Sequence, residues 1–412
     1  MKTDRWIWLV GGGLLQIPAV LEAKKMGLKV VVSDFNSHAP AMQLADECVV
    51  VSTHDVVATA MLASKFAHNH SLAAVFTQGH SVEYTVAAVA EQLGLIGIGA
   101  GLAALVSNKA EMRNRLRAYG GIRQPAFRNC ATADHAIEAV ESIGFPAVFK
   151  PVNNSASRGV TILRHAVEEV ELRNAFARAQ NNNVGGRKMI LVEQYLPGSC
   201  DWGIPEQSVE TLWVGGKMRW LNWVDRPFVW HQRYAIEEGH YNPSAGNPAK
   251  THALAERVGN ALGFMNGILK LDVIQVNNEP HVLETTARLS GGFDAQYTSP
   301  LAHGVNYIRG AMRQALGEPL DETDWENQRL DHAVALAAFP KPGKVIAVSG
   351  AERARKFCDY LFFNVRTGDM IEYDHCARRP AFAIASGRSR AHAIERATNA
   401  LLELKIHTEP GS

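Results

Sequence analysis

Two apolar runs past the middle of the chain, residues 268–276 (ILKLDVIQV) and 281–285 (HVLET), are separated by Asn277-Asn278-Glu279-Pro280. Runs rich in branched side chains, broken by a cluster of turn formers, predict a β-hairpin. Centred near residue 278, that hairpin sets Asp272 and Glu284 opposite each other, so two carboxylates project from one face of adjacent strands. Such a pair is costly unless cations neutralise it. Its hard oxygens suit Mg²⁺, which completes its shell with water and phosphate oxygens. Arg288 follows with a planar fork that can grip a carboxylate or phosphate bidentately. Ser290, Gly291 and Gly292 then provide backbone that a ligand can approach closely. Taken alone, an ordinary hairpin with a surface ion pair explains the pattern equally well.

The leading third alternates strand-like and helical patterns. Residues 6–10 form a buried-type strand, Gly11-Gly12-Gly13 turns into a helix through Ile17, Val20, Leu21 and Met26, and residues 29–33 form a strand ending at Asp34. This βαβ opening departs from the dinucleotide fingerprint, because the third glycine position holds Gln16. It reads as a structural turn or a contact to a second substrate. Strands at 49–51, 74–77 and 95–97 with helices at 55–68 and 81–93 continue a parallel sheet. Thr77, Gly79 and His80 fall at its ligand edge, His80 as a turn residue.

The next unit starts with a helix that Asn108 caps and that runs to Tyr119, with Glu111 at the capping-box position and Lys109 as an exposed charge on the first turn. A helix at 133–143 precedes Gly144-Phe145-Pro146, and Lys150 ends the apolar strand that follows, where its ammonium can neutralise phosphate oxygens. The small polar loop from Asn153 through Ser155, Ser157, Arg158 and Gly159 has the composition of a lid over phosphates, without the P-loop pattern. A strand at 189–192 carries Glu193-Gln194-Tyr195-Leu196, where an acid and backbone groups can meet an adenine edge. An alternating strand then starts at Glu206. Five tryptophans between 202 and 230 read mostly as core, with some lining a pocket for an apolar substrate group. His231, Arg233, Glu238 and His240 form a polar loop facing phosphates or the second substrate, and a helix at 248–262 feeds the hairpin. Beyond Gly292 come a helical stretch to 316, a surface connection at 317–326, strands near 334–339, 343–349, 360–365 and 381–386, and a last helix at 390–404.

Composition narrows the class. A net charge of +1 with 20% charged residues gives no global pull toward nucleic acid or anionic membrane. Five scattered cysteines without zinc spacing fit reduced thiols of an intracellular protein. The apolar run at 6–10 is too short for the core of a signal peptide, and no run is long enough to span a bilayer. A cytoplasmic protein is expected.

The ordered set Lys109, Gly144-Phe145-Pro146 with Lys150, the loop to Gly159, Glu193-Gln194-Tyr195-Leu196, Glu206-x-Ser208-Val209-Glu210, and Asp272 with Glu284-x-x-x-Arg288 resembles the ATP-grasp superfamily of carboxylate-amine ligases across almost the whole chain. The resemblance implies an α/β chain in three parts: an N-terminal parallel βαβ domain (1–105), a central ATP-grasp fold of two α+β subdomains (106–190 with the lid, 191–316), and a small β-rich C-terminal domain (317–412). It implies ATP and Mg²⁺, with Mn²⁺ as a substitute. Lys109 and Lys150 then resemble phosphate-binding lysines, residues 155–159 the mobile loop, Glu193 to Leu196 the adenine segment, and Glu206 the acid on the ribose hydroxyls. Asp272 and Glu284, twelve residues apart, resemble the metal-binding carboxylates, and Arg288 the arginine that steadies the transferring phosphate. Two positions depart from the family: Thr286 stands where an Asn ligand is usual, and Asp272 is shorter than the usual Glu.

The implied activity is ADP-forming ligation of a small carboxylate to an amine, on amino-acid or peptide-like substrates, through an acyl phosphate. A homodimer is implied as well. Bicarbonate phosphorylation, a small-molecule kinase and an inactive nucleotide-binding relative are the alternatives.

Overall fold

The computed structural model describes residues 4–231 and 234–410. Arg5–Val10, Lys29–Asp34, Glu47–Val50 and Ser71–Phe76 pair in parallel, with Lys29–Asp34 and Ser71–Phe76 flanking Arg5–Val10. The inner strands are almost continuously apolar because helices cover both faces of such a sheet. Residues 95–97, expected as a further strand, are loop instead: Gly94 and Gly99 take φ of +65° and +82° and turn the chain into the helix Ala100–Ser107. The glycine turn is structural. Gly12 N–H donates to Asp34 Oδ2 at 2.8 Å, so the acid that a dinucleotide ribose would need is engaged, and the buried Gln16 donates its amide to the Gln78 carbonyl.

Phe127–Cys130, Ile190–Gln194, Ala147–Pro151 and Thr161–Leu163 form an antiparallel sheet, backed by the helices Ala133–Ile143 and Glu169–Asn181. A larger sheet runs Glu279–Thr286, Gly267–Val276, Glu206–Val214, Lys217–Asp225, Gly239–Asn242, His332–Ala337, Ala381–Gly387, Tyr360–Phe363. It passes through the boundary expected at residue 317, because Gly239–Asn242 pairs with His332–Ala337. Strands at Lys217–Asp225, Phe228–His231, Tyr234–Glu237 and Lys405–Glu409 were not legible in the sequence pattern. Most of the tryptophan cluster is core: Trp213 is fully buried, and a Cβ on Gly259 would lie 1.9 Å from its ring, which is why the helix Pro248–Leu262 tolerates a mid-helix glycine. Among the described residues no helix is long and apolar enough to cross a membrane.

The hairpin reaches its expected pairing by an unexpected device. Asn277 and Asn278 both take positive φ, +53° and +60°, as a two-residue turn matched to strand twist requires. Glu279 and Pro280 therefore belong to the second strand, opposite Val276 and Gln275. That turn alone would set Leu283 against Asp272. A bulge between Asp272 and Val273 shifts the ladder from Val273–Val282 to Asp272–Glu284, and so brings the two acids into opposition.

Candidate active site

A cavity of about 870 Å³ is lined by both antiparallel sheets, the N-terminal turn segments and a loop of the last third of the chain. Asp272, Glu284, Thr286, Arg288, Lys109, Lys150 and Glu206 all line it, as do the lid residues Ser155, Ser157 and Arg158.

Lys109, expected as a solvated charge, is buried. Its Nζ lies 2.9 Å from Glu284 Oε1 and donates to the Asn154 carbonyl at 2.6 Å. The helix Lys109–Tyr119 holds it there: Asn108 Oδ1 accepts from Ala110 and Glu111 N–H, and Lys109 N–H donates to Val152 O at 2.8 Å. Asn108 N–H goes to Leu105 O, so the cap is one-sided and Glu111 closes no box.

Asp272 faces a different set of cations. Arg226 reaches its Oδ1 at 2.6 Å, and Lys270, two residues back on the same strand face, pairs with the same oxygen. Burial pushes the Asp272 carboxyl up, but Arg226 and Lys270 override it and hold it below the usual range. Arg226 also binds Glu237 at 2.6 Å and Glu206 at 3.4 Å. Burial, with Asp272 and Glu237 adding repulsion against the pull of Arg226, lifts Glu206 to about 7. Burial raises Glu237 too, but His240, Arg226 and Arg379 keep it well below the carboxylate range. His240 sits 2.9 Å from both Glu237 and Asp294; burial lowers its imidazole, and the two acids lift it to about 9.

Among the described residues no group of three or more His, Cys, Asp and Glu forms a metal cluster. The donors present are the opposed carboxylates of Asp272 and Glu284 with the Thr286 hydroxyl, which is buried and has no hydrogen-bond partner. Two carboxylates plus one neutral oxygen fit Mg²⁺, which takes few protein ligands and draws the rest from phosphates and water.

Lys150 Nζ lies 2.6 Å from Glu193 Oε2, and Arg113 Nε lies 2.6 Å from Glu193 Oε1. Burial raises the Glu193 carboxyl, but the two cations hold it at about 2. Both oxygens of this carboxylate are thus engaged by cations, and Glu193 lines the cavity beside them. Gln194, Tyr195 and Leu196 line the cavity together with the apolar side chains of Ile204, Phe228, Trp230 and Ile274. Tyr195 N–H donates to Pro146 O at 3.0 Å, which fixes the segment. Of the tryptophans, Trp230 lines the cavity, with the Arg164 guanidinium 4.1 Å over its ring.

The loop at 155–159, expected as a lid, is docked onto the last third of the chain. Ala156 O accepts from Cys376 N–H at 3.0 Å, and Ser157 Oγ lies 3.6 Å from Cys376 Sγ. Ala156 and Ser157 take φ of +57° and +58°. Gly159 turns the lid back at φ +74°, where a Cβ would meet Asn182 Cβ at 2.5 Å. Arg288 is held by the N-terminal unit through Ser81 Oγ at 3.1 Å. His80 bonds Thr53 Oγ1 at 3.0 Å; burial, with His54 and Arg288 nearby, lowers its imidazole to about 4. His231, expected in a polar loop, is in a strand and stacks on Tyr373. Arg233 lies outside the described residues.

Several residues of the site escaped the sequence reading. Lys270 carried a signal, since positions two apart on a strand share a face, and so did Arg113, one helical turn after Lys109. Arg226, Glu237, Asp294 and Arg379 carried none, because their pairings join distant segments; His240, expected in a polar loop facing the site, lies in the strand Gly239–Asn242 and lines the cavity.

The profile described as "L-amino acid ligase C-terminal domain 2" matches residues 335–409. A formate-dependent phosphoribosylglycinamide formyltransferase from Trichormus variabilis is 24% identical over 423 residues, 99% of either chain. An enzyme of the same description from Synechococcus sp. aligns at 29% identity over 189 residues, and that alignment spans 46% of either chain. The L-amino acid ligase of Bacillus licheniformis superposes with a TM-score of 0.80 at 21% identity, covering 99% of this chain and all of that one. An N5-carboxyaminoimidazole synthetase from Staphylococcus aureus, complexed with ADP, superposes with a TM-score of 0.74 at 15% identity over 97% of this chain and 98% of that one.

Proposed function

We propose that this chain, an ATP-grasp enzyme of the carboxylate-amine ligase type, joins the carboxylate of an amino acid or peptide-like acid to the amine of a second such molecule, with release of ADP and phosphate. A carboxylate oxygen attacks the terminal phosphorus of ATP and ADP leaves; the amine nitrogen then attacks the acyl carbon and phosphate leaves. No side-chain nucleophile is needed. The observation that carries the proposal is the convergence of Lys109, Lys150 and Arg288 with the opposed Asp272 and Glu284 on one cavity.

In this proposal Lys109 and Lys150 hold phosphate oxygens, Ser155, Ser157, Arg158 and Gly159 fold over them, and Arg288 steadies the transferring group, all acting as fixed charges and donors in a site closed to water. Glu206 takes the ribose hydroxyls, and backbone of Glu193 to Leu196 takes the base. Asp272, Glu284 and Thr286 would hold Mg²⁺, or Mn²⁺ in its place, and the cation's contribution is to neutralise phosphate charge. Residues 1–105, 106–316 and 317–412 serve as substrate-facing, nucleotide-binding and lid-anchoring units. A homodimer is proposed on the resemblance alone, and a cytoplasmic location on the composition.

The full-length relatives favour a second pairing, formate with a phosphoribosyl acceptor. The residues that the N-terminal unit contributes to the cavity are Gly13, Leu14, Leu15, Gln16, Gly79, His80 and Ser81, without a lysine or arginine to meet a second phosphate. Leu15 instead packs with Phe293 and Phe382, and all three line the cavity. That the N-terminal unit brings no cation to this wall favours an unphosphorylated substrate, the guanidinium over the Phe382 ring being that of Arg379, which already grips Glu237. Release of ADP and phosphate across a panel of amino acids and small carboxylates, with mass spectrometry of the amide product, tests the proposal. ATP binding without turnover under any pairing refutes it, and phosphate retained on the product makes the protein a kinase.

A further inference from the structure

We infer that Arg113 is a positioning residue for the reaction, one that fixes both the opposition of Asp272 to Glu284 and the placement of Lys150; the inference rests on the ligase function proposed above. Arg113 does not line the cavity, so it acts through other groups. Its side chain is completely buried, one turn beyond Lys109 on the same helix face.

The donors of its guanidinium go to three partners that matter. One terminal nitrogen donates to Val282 O at 2.7 Å and the other to Leu283 O at 2.8 Å, while Nε binds Glu193 Oε1 at 2.6 Å. Val282 and Leu283 are the residues at which the hairpin ladder slips by one position. A bulge turns carbonyls away from the ladder, and buried carbonyls need donors from elsewhere. Arg113 supplies them, so the irregularity that sets Glu284 against Asp272 is held from outside the sheet.

The same guanidinium shares Glu193 with Lys150, which lies 2.6 Å from the second carboxylate oxygen. Loss of Arg113 leaves that buried acid with the Lys150 ammonium as its one remaining cation, which ties Lys150 more firmly to Glu193 and less to a ligand in the cavity. Only an arginine combines a rigid fork for two adjacent carbonyls with a third donor for a carboxylate. Lysine at this position keeps the charge but cannot serve all three partners.

Full-length Arg113→Lys and Arg113→Met are compared with the unsubstituted protein by thermal unfolding, by calorimetric binding of ADP with and without Mg²⁺, and by ADP release against Mg²⁺ concentration. Loss of a group that orients metal-binding residues without touching the metal weakens metal affinity or activity by about 10–100-fold. Arg113→Lys is expected to fold, to weaken the Mg²⁺-dependent part of ADP binding by about tenfold or more, and to raise half-saturating Mg²⁺ in parallel. If Arg113→Met does not fold, the lysine variant decides. A folded Arg113→Lys with unchanged Mg²⁺-dependent ADP binding overturns the inference. So do variants that lose thermal stability while the Mg²⁺ dependence of their remaining activity stays the same. If the unsubstituted protein turns over no substrate pair, the ligase proposal fails, while the binding comparison still decides the role of Arg113.

Discussion

Lys109 Nζ and Glu284 Oε1 lie 2.9 Å apart, bridging the helix that opens the central unit and the hairpin that carries the acids. The cation proposed to meet phosphate and the acid proposed to meet Mg²⁺ thus neutralise each other directly. Glu284→Gln keeps the shape and removes the charge. Its ADP release should fall by about 10²-fold or more, the scale on which one preorganised electrostatic group is worth. Full retained activity in a coupled ADP assay would contradict the assignment of Glu284.

The Thr286 hydroxyl is buried without a partner. Thr286→Val removes it at nearly constant volume. An unpaired buried hydroxyl carries a desolvation cost of about 1–3 kcal/mol, so this variant should unfold at the same temperature as the parent or higher. If the hydroxyl faces the cation, the Mg²⁺ concentration for half-maximal activity rises at the same time. A titration with unchanged midpoint would assign Thr286 no part in the site.

A Cβ on Gly292 would lie 2.0 Å from His240 Cε1. Gly292→Ala must therefore move an imidazole clamped between Glu237 and Asp294. Overpacking of a dense site costs about 1–3 kcal/mol. Chemical denaturation should show that loss, together with a fall in kcat; an unchanged midpoint would mean that the ring has room to move.

Glu206 titrates at about 7 in the folded chain against an ordinary value of 4.5. Between those values the unfolded chain has released the proton that the folded chain keeps, so stability from this group falls as pH rises from about 4.5 to about 7. Glu206→Gln removes that penalty. Its melting temperature should match the parent near pH 4.5 and exceed it near pH 8. His240, raised to about 9 from 6.5, contributes stability that is complete below about 6.5 and is lost as pH rises through about 9. Melting curves from pH 5 to 10 separate the two windows.

Where sequence reasoning succeeded, it did so through local periodicity. The helices at 109–119, 133–143 and 248–262 and the opposition of Asp272 to Glu284 follow from patterns within a dozen residues. The register was reached for a partly wrong reason, because the pattern pointed to a four-residue turn where the chain uses two asparagines and a bulge. A bulge has no marker in an alternating run. The strands between 217 and 242 hide among aromatic and polar residues that alternate poorly. Glu193 shows the limit most plainly: its place at a strand end was visible, but the two cations that engage its carboxylate come from positions 80 and 43 residues away.

The loop proposed to fold over the phosphates is tied to a remote part of the chain. Because Ala156 and Ser157 rest against Cys376, 219 residues further on from Ser157, and Arg379 in the same turn grips Glu237, any displacement of this loop must break contacts with a turn near the other end of the chain.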